Sequence, residues 1–186
     1  MTLSVRLAVL SLLLVPAGCH VPPPSADLIQ GAPTPEDIPP LPPGPSLGVL
    51  VLGDHGTGDE GQTMVANSIA AALENDPPDL VLTVGDNFYP DGVESVEDPL
   101  WSANFEQVYA GSFWDGLVFH PTLGNHDHHG NVQAQIQYSG LSPRWHMPGN
   151  FYAFRRALPS GDSVLFLALD TNAAADDTLF TRTQAA

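Results

Sequence analysis

Apolar residues in this chain cluster in short uninterrupted runs, separated by polar stretches rich in Gly and Pro. Such runs read as strands buried on both faces. Residues 48–53 and 80–84 predict two of them, and 117–123 a third. Between the first two, Val65, Ile69, Ala72 and Leu73 recur at helical spacing, predicting a helix over 63–74 that Pro77-Pro78 terminates. Residues 99–109 place Leu100, Trp101, Phe105 and Val108 on one helical face, and 132–138 predict a short helix. Residues 151–156 and 163–169 predict two more strands, the latter closing on Asp170-Thr171. Strand–helix–strand alternation implies an α/β fold, with parallel strands and helices packed on the sheet. The chain shows no internal repeat.

Two segments precede this globular part. Residues 1–19 read as an export signal, with Arg6 in a weak n-region, an apolar stretch over 7–15, and Ala17-Gly18 before a cut. The stretch is shorter than the ~20 residues of a membrane span. Cys19 falls directly after Ala17-Gly18, which resembles a bacterial lipoprotein signal with a lipidated Cys19, although Pro16 stands where that signal normally carries an apolar residue. The alternatives are plain secretion and a buried N-terminal strand. The expected location is outside the cytoplasm: periplasmic or lipid-anchored at the cell surface, otherwise secreted, with the Cys19 lipid as the only membrane contact. Residues 20–46 hold Pro22-Pro23-Pro24, Pro39-Pro40 and Pro42-Pro43 and predict a semi-rigid spacer, on the order of 80 Å if extended at about 3.1 Å per residue. The domain is then 47–186.

Charge narrows the function. A formal charge of −16, with five Arg and no Lys, argues against nucleic-acid binding through basic patches. It also repels anionic substrates, so a phosphate site here needs its own positive charge, such as a metal. Cys19 is the single cysteine, which excludes an intrachain disulfide and Cys-rich zinc motifs.

Each of the first three runs closes on Gly followed by an oxygen ligand: Gly53-Asp54, Gly85-Asp86 and Gly124-Asn125. Strand ends of open α/β sheets are where ligands bind, and three such closures place Asp54, Asp86 and Asn125 on one rim. Gly56-Thr57-Gly58-Asp59-Glu60-Gly61 also matches a dinucleotide fingerprint. Asp54-His55 intervene between strand and glycines, however, and a nucleotide leaves Gly124-Asn125-His126-Asp127 unexplained. A pair of ions about 3.5–4 Å apart accounts for all three closures. Asp86 is the bridge, Asp54 binds one ion and Asn125 the other. Tyr89 can fold back as a phenolate onto an ion as acidic as ferric iron. His126 points at the substrate, oriented by Asp127.

Gly53-Asp54-x-Gly56, Gly85-Asp86-Asn87-Phe88-Tyr89 and Gly124-Asn125-His126-Asp127 resemble the first three of five signature blocks of the calcineurin-like metallophosphoesterases, and the Tyr points to the purple acid phosphatase branch. The stretch from His128 through Ser139, Arg144-Trp145-x-Met147-Pro148, Phe151-Tyr152, Leu169-Asp170-Thr171 and Arg182-Thr183-Gln184 resemble the small tartrate-resistant type. The resemblance implies a sandwich of two mixed sheets flanked by helices, and phosphate monoester hydrolysis by attack of a metal-bound hydroxide. It places Asp54 and Tyr89 on iron, Asp86 between the ions, and Asn125 on the second ion (Zn, Mn or Fe). It gives His126 and Asp127 to catalysis. The implied substrate is a small phosphate ester.

Departures from the pattern accompany it. His55 stands where the small purple phosphatases usually have Trp, and His129 where they have an apolar residue; both read as exposed. His120 lies in a strand, and His128, His129 and His146 in loops where the family has no ligands. The fourth and fifth blocks, a Gly-His and a Gly-His-x-His, do not occur before Ala186. The chain therefore reads as the N-terminal portion of a longer enzyme, with at least one ion held weakly. The competing functions are a phosphodiesterase or nucleotidase on the same core, and a non-catalytic surface lipoprotein that keeps the fold.

Overall fold

The computed structural model describes the backbone of residues 4–11 and the whole of residues 46–172. The Pro-rich spacer, Cys19 and Arg182-Thr183-Gln184 lie outside the described residues. Four strands form a parallel sheet in the order β1 (Ser4–Ser11), β2 (Ser46–Gly53), β3 (Leu80–Val84), β4 (Phe119–Thr122). Helix α1 (Glu60–Ala72) links β2 to β3, and the short α2 (Val132–Tyr138) follows β4. A second sheet is the antiparallel hairpin of β5 (Tyr152–Ala157) and β6 (Ser163–Ala168), closed by the Leu158–Asp162 turn. Parallel and antiparallel pairing are thus divided between two sheets of an α/β sandwich.

Alternation along the strands builds the two layers. Leu50, Leu52, Val81 and Phe119 face one way, onto Ala66 and Ile69 of α1 and an aromatic cluster of Phe88, Trp101, Phe105, Trp114 and Trp145. Leu47, Val49, Val51 and Leu80 face the other way, toward Phe154, Val164 and Phe166 of the hairpin. The aromatic cluster is held by ring geometry. Trp101 lies flat on Tyr138 at 3.6 Å, while Phe88, Phe105 and Trp145 meet Trp101 edge-on or tilted at 4.6 to 6.5 Å. Met64 and Leu141 remain exposed.

Several boundaries differ from expectation, each for a local reason. Helix α1 starts three residues early, because Asp59 caps it by accepting from Gln62 N while the Gln62 side chain accepts from Gly58 N. The expected 99–109 helix is regular only over Trp101–Glu106, where the Gln107 N–H reaches back five residues to Ser102 O, a widened turn that seats Trp101 and Phe105 together. The third predicted strand is regular only over Phe119–Thr122, and the sheet tolerates Pro121 within it because β4 is an edge of the described sheet. Part of the expected export signal, Ser4–Ser11, pairs in parallel with β2, which corresponds to the strand alternative. That pairing covers the β2 edge while the segment stays attached, and export of the chain remains a proposal. No helix among the described residues is long and apolar enough to cross a membrane.

One polar cluster pins the helical layer. Arg144 binds the Glu106 carboxylate and the Tyr109 carbonyl, and the Tyr138 and Ser142 hydroxyls donate to Glu106 at 3.0 and 2.8 Å. Partial burial alone raises the Glu106 pKa, but Arg144 and the two hydroxyls outweigh it and leave it lowered. A depressed folded-state carboxyl contributes stability above its unfolded pKa, lost as pH falls through the folded value. Glu106→Gln should therefore shrink the drop in Tm between neutral pH and about pH 3. A thermal melt series across that range checks it, and an unchanged acid limb would count against this role.

Candidate metal centre

The rim forms where β2, β3 and β4 end side by side. Asp54, the first residue past β2, and Asp86, the second past β3, both have φ of 54°, the left-handed region that costs a non-glycine residue about 1–2 kcal/mol. Such strain persists only where the surroundings enforce it, and it concentrates at functional sites. The enforcement here is close backbone approach. Gly85 has φ of 106°, and a Cβ on it would lie 2.9 Å from the Gly124 Cα. A Cβ on Gly124 would lie 2.1 Å from Asp86 Oδ1 and 2.3 Å from the Asp86 nitrogen. The Asp54 N–H donates to the Gly85 carbonyl at 3.1 Å, closing the rim from the other side. Glycine at 85 and 124 is thus a packing requirement.

The side chains converge. The Tyr89 hydroxyl sits between two carboxylates, 2.7 Å from Asp86 Oδ2 and 3.0 Å from Asp54 Oδ1. The His126 N–H donates to Asp86 Oδ1 at 3.1 Å, and its ring lies 4.5 Å from that of Tyr89. Asn125 is exposed between Gly124 and His126, the two residues that press on Asp86. Asp54, Asp86, Tyr89 and His126 therefore share one rim, with Asn125 next to His126 in the chain. Burial, then the adjoining Asp86 and Asp54, push the Tyr89 phenol far above its ordinary pKa, so it keeps its proton in this arrangement.

Asp127 departs from its expected part. Its carboxylate is fully buried and accepts from Gly124 N (2.8 Å), Gln135 Nε2 (2.9 Å) and Asn87 N (3.1 Å). Burial raises its pKa and those donors oppose the rise. It ties the post-β3 and post-β4 loops to α2, beneath the rim, and does not orient the His126 ring. The Pro90 carbonyl does that, accepting from Nδ1–H, which leaves Nε2 as the free basic nitrogen.

The remaining histidines lie elsewhere. His55 is buried, with Nδ1 3.0 Å from the Tyr109 hydroxyl, and burial lowers its pKa to about 4, which corrects the expectation of a surface imidazole. It replaces a large aromatic and packs edge-on against Tyr109. His129 is exposed as expected, 3.3 Å from Asp91, and His128 pairs with buried Asp170 at 3.1 Å. The glycine run 56–61 serves the rim: the Gly56 carbonyl accepts from Tyr89 N and Asn104 Nδ2, and the Asp59 carboxylate caps α1.

Sequence reasoning overlooked Asn87. It is 1 % exposed, donates to the Thr122 carbonyl and Asp127, and accepts from the Thr83 hydroxyl, linking β3, β4 and the Asp127 clamp. A polar residue fully enclosed directly after Asp86 was the available signal. Gln135, also fully buried, was hidden in the helical pattern of α2.

As a donor set, two carboxylates, a phenol and an amide are hard oxygen ligands suited to ferric and divalent ions. They fit the oxygen half of a binuclear centre. No group of three or more His, Cys, Asp or Glu able to hold a metal ion occurs among the described residues.

Comparison with known proteins agrees with this geometry. The family model described as calcineurin-like phosphoesterase matches residues 47–179. Tartrate-resistant acid phosphatase type 5 of Sus scrofa is 40 % identical over 107 residues, 57 % of this chain and 32 % of that protein. Purple acid phosphatase 7 of Arabidopsis thaliana is 36 % identical over 128 residues, 68 % of this chain and 38 % of that protein. The chain thus spans about a third of the length of these relatives. Among solved structures, one described as GAP50, the anchor in the inner membrane complex of Plasmodium, superposes with a TM-score of 0.63 at 26 % identity, over 73 % of this chain and 45 % of that one. With a family match that runs from β2 through the hairpin and takes in the whole rim, this chain belongs to the calcineurin-like phosphoesterase family.

Proposed function

We propose that the protein is an exported phosphatase of the purple acid type, hydrolysing phosphate monoesters at two metal ions on the β2–β3–β4 rim. The observation that carries the reading is the triangle of Asp54, Tyr89 and Asp86, with one phenol oxygen within 3.0 Å of both carboxylates. Asp54 and Tyr89 would hold iron, Asp86 would bridge, and Asn125 would reach the second ion, Zn, Mn or Fe. The ions would supply positive charge for the phosphoryl oxygens and Lewis acidity toward water. That local charge answers the repulsion an anionic ester meets from a chain of net charge −16. His126 stands beside Asp86 with Nδ1–H held by Pro90, and its Nε2, once it has taken up a proton, can pass that proton to the departing oxygen. The two-residue step from Asp86 to Phe88 plants a fully buried ring in the aromatic cluster, which holds the loop carrying Tyr89 rigid.

The test is hydrolysis of p-nitrophenyl phosphate by protein reconstituted with Fe and Zn or Mn. Faster turnover of bis-p-nitrophenyl phosphate would favour a phosphodiesterase. The fold also occurs in a protein described as an anchor, so inert, metal-free protein would favour the non-catalytic alternative. Ligation by Tyr89 has its own signature. Iron-loaded protein should be violet through phenolate-to-iron charge transfer, and Tyr89→Phe should lose the band; a Phe variant that keeps it would refute the assignment.

A further inference from the structure

A second concave site lies on the opposite layer, between β4, the loop before His146 and the hairpin. It is a cavity of about 360 Å³, within the range of small-molecule sites, about 300–1,000 Å³. His120, Phe154, Arg156 and the exposed His146 and Arg155 are among the residues that line it. The chain has 21 acidic residues against five Arg, yet this cavity takes two of those Arg and none of its lining residues is Asp or Glu. The nearest carboxylate partner of a lining residue is Glu106, which accepts from Ser142 and is held by Arg144. The lining Ser139 and Ser142 hydroxyls are bonded to Met147 and Glu106, but three buried nitrogens of the lining residues have no partner among the described residues. His120 is only 5 % exposed, and both its ring nitrogens are unpaired among the described residues, as is the buried Arg156 Nε.

Buried donors are almost always satisfied, so each orphan asks for a missing partner. Phe154 stacks flat on the His120 ring at 3.8 Å and fixes its direction, and His146 meets it edge-on at 5.1 Å. The Arg156 Nε–H and one His120 N–H are donors, the other His120 nitrogen is an acceptor in the neutral ring that burial favours, and the two Arg supply positive charge, with no carboxylate among the described lining residues. A cation would be repelled by Arg156, whereas an oxyanion would satisfy the orphans by charge-assisted bonds. Apolar Phe154 and Trp145 beside them would seat an organic remainder. We propose that this cavity is an oxyanion site, separate from the metal rim, that binds phosphate either free or as the phosphoryl group of a small metabolite. His120 lies four residues before Gly124, roughly 13 Å along an extended chain at about 3.3 Å per residue, and opens to the hairpin layer.

Inorganic phosphate and a sugar phosphate are the probes, titrated into the full 186-residue chain freed of metal by a chelator. Ring resonances of His120 and His146 should shift saturably, and phosphate should raise Tm by mass action. Tighter binding of the sugar phosphate would assign the cavity to a phosphorylated metabolite, and equal binding to free phosphate. Arg156→Gln should weaken binding at least tenfold, by loss of a charge-assisted contact. Should that variant fold poorly, His120→Phe, which retains the stack on Phe154, should do the same. Asp86→Asn, altered only at the rim, should bind metal-free phosphate as the parent does. Shifts confined to His126, binding abolished by Asp86→Asn, or no saturable binding up to millimolar phosphate would each overturn the proposal.

Discussion

Asp86→Ala should reduce kcat/KM for p-nitrophenyl phosphate by roughly a thousandfold or more, about 4 kcal/mol of transition-state stabilisation. Partners that merely orient metal ligands cost about 10–100-fold when removed, and a carboxylate shared by both ions, the part proposed for Asp86, would exceed that. Alanine at φ of 54° also carries backbone strain, so Asp86→Asn separates the two effects. Asn tolerates that conformation and can keep the contacts to the His126 N–H and the Tyr89 hydroxyl. The Asn variant without metal should melt no lower than the parent, because one of two facing like charges is gone. Adding metal should raise the parent's Tm by linkage and leave the variant's unmoved. Retention of a tenth of the parent activity by either variant would sink the bridging role.

Asp127→Ala should instead be the most damaging change to stability, about 3–5 kcal/mol. Each buried donor left without a partner costs about 1–3 kcal/mol, and the Gly124 N–H, the Asn87 N–H and the Gln135 amide all lose theirs. At roughly 2–4 °C per kcal/mol for a chain of this size, Tm should fall by about 10 °C or more. Asp127→Asn keeps one acceptor oxygen and should recover part of the loss. Calorimetry on both variants checks this. Were Asp127 chiefly an orienter of His126, the Ala variant would melt within about 2 °C of the parent and lose turnover alone.

How far the sequence carried depends on the range of the interactions involved. Strand β3 and helix α2 fall where the apolar pattern puts them, because burial of alternate or helically spaced residues is a local property. The Gly-closed runs mark the rim because Gly85 and Gly124 stand where backbones touch and Gly53 where the Val84 side chain presses in, and each glycine is visible in the sequence residue by residue. The part of Asp127 was not legible. Next to His126 in the chain, it reads as that residue's partner, but the carboxylate turns inward to donors 3, 8 and 40 residues away. His55 likewise reads as a surface polar residue until Tyr109, 54 positions on, is seen to receive it.

By itself the sequence determined the α/β alternation, the family and the candidate oxygen ligands at the strand ends, since each is written as a run of neighbouring residues. Only the tertiary structure decided that Pro90 rather than Asp127 sets the His126 tautomer, that parallel and antiparallel pairing separate into two layers, and that His120 and Arg156 share a cavity. These depend on contacts between residues dozens of positions apart. Composition and periodicity carry no record of such contacts, because chain closure and packing select them after the local elements have formed.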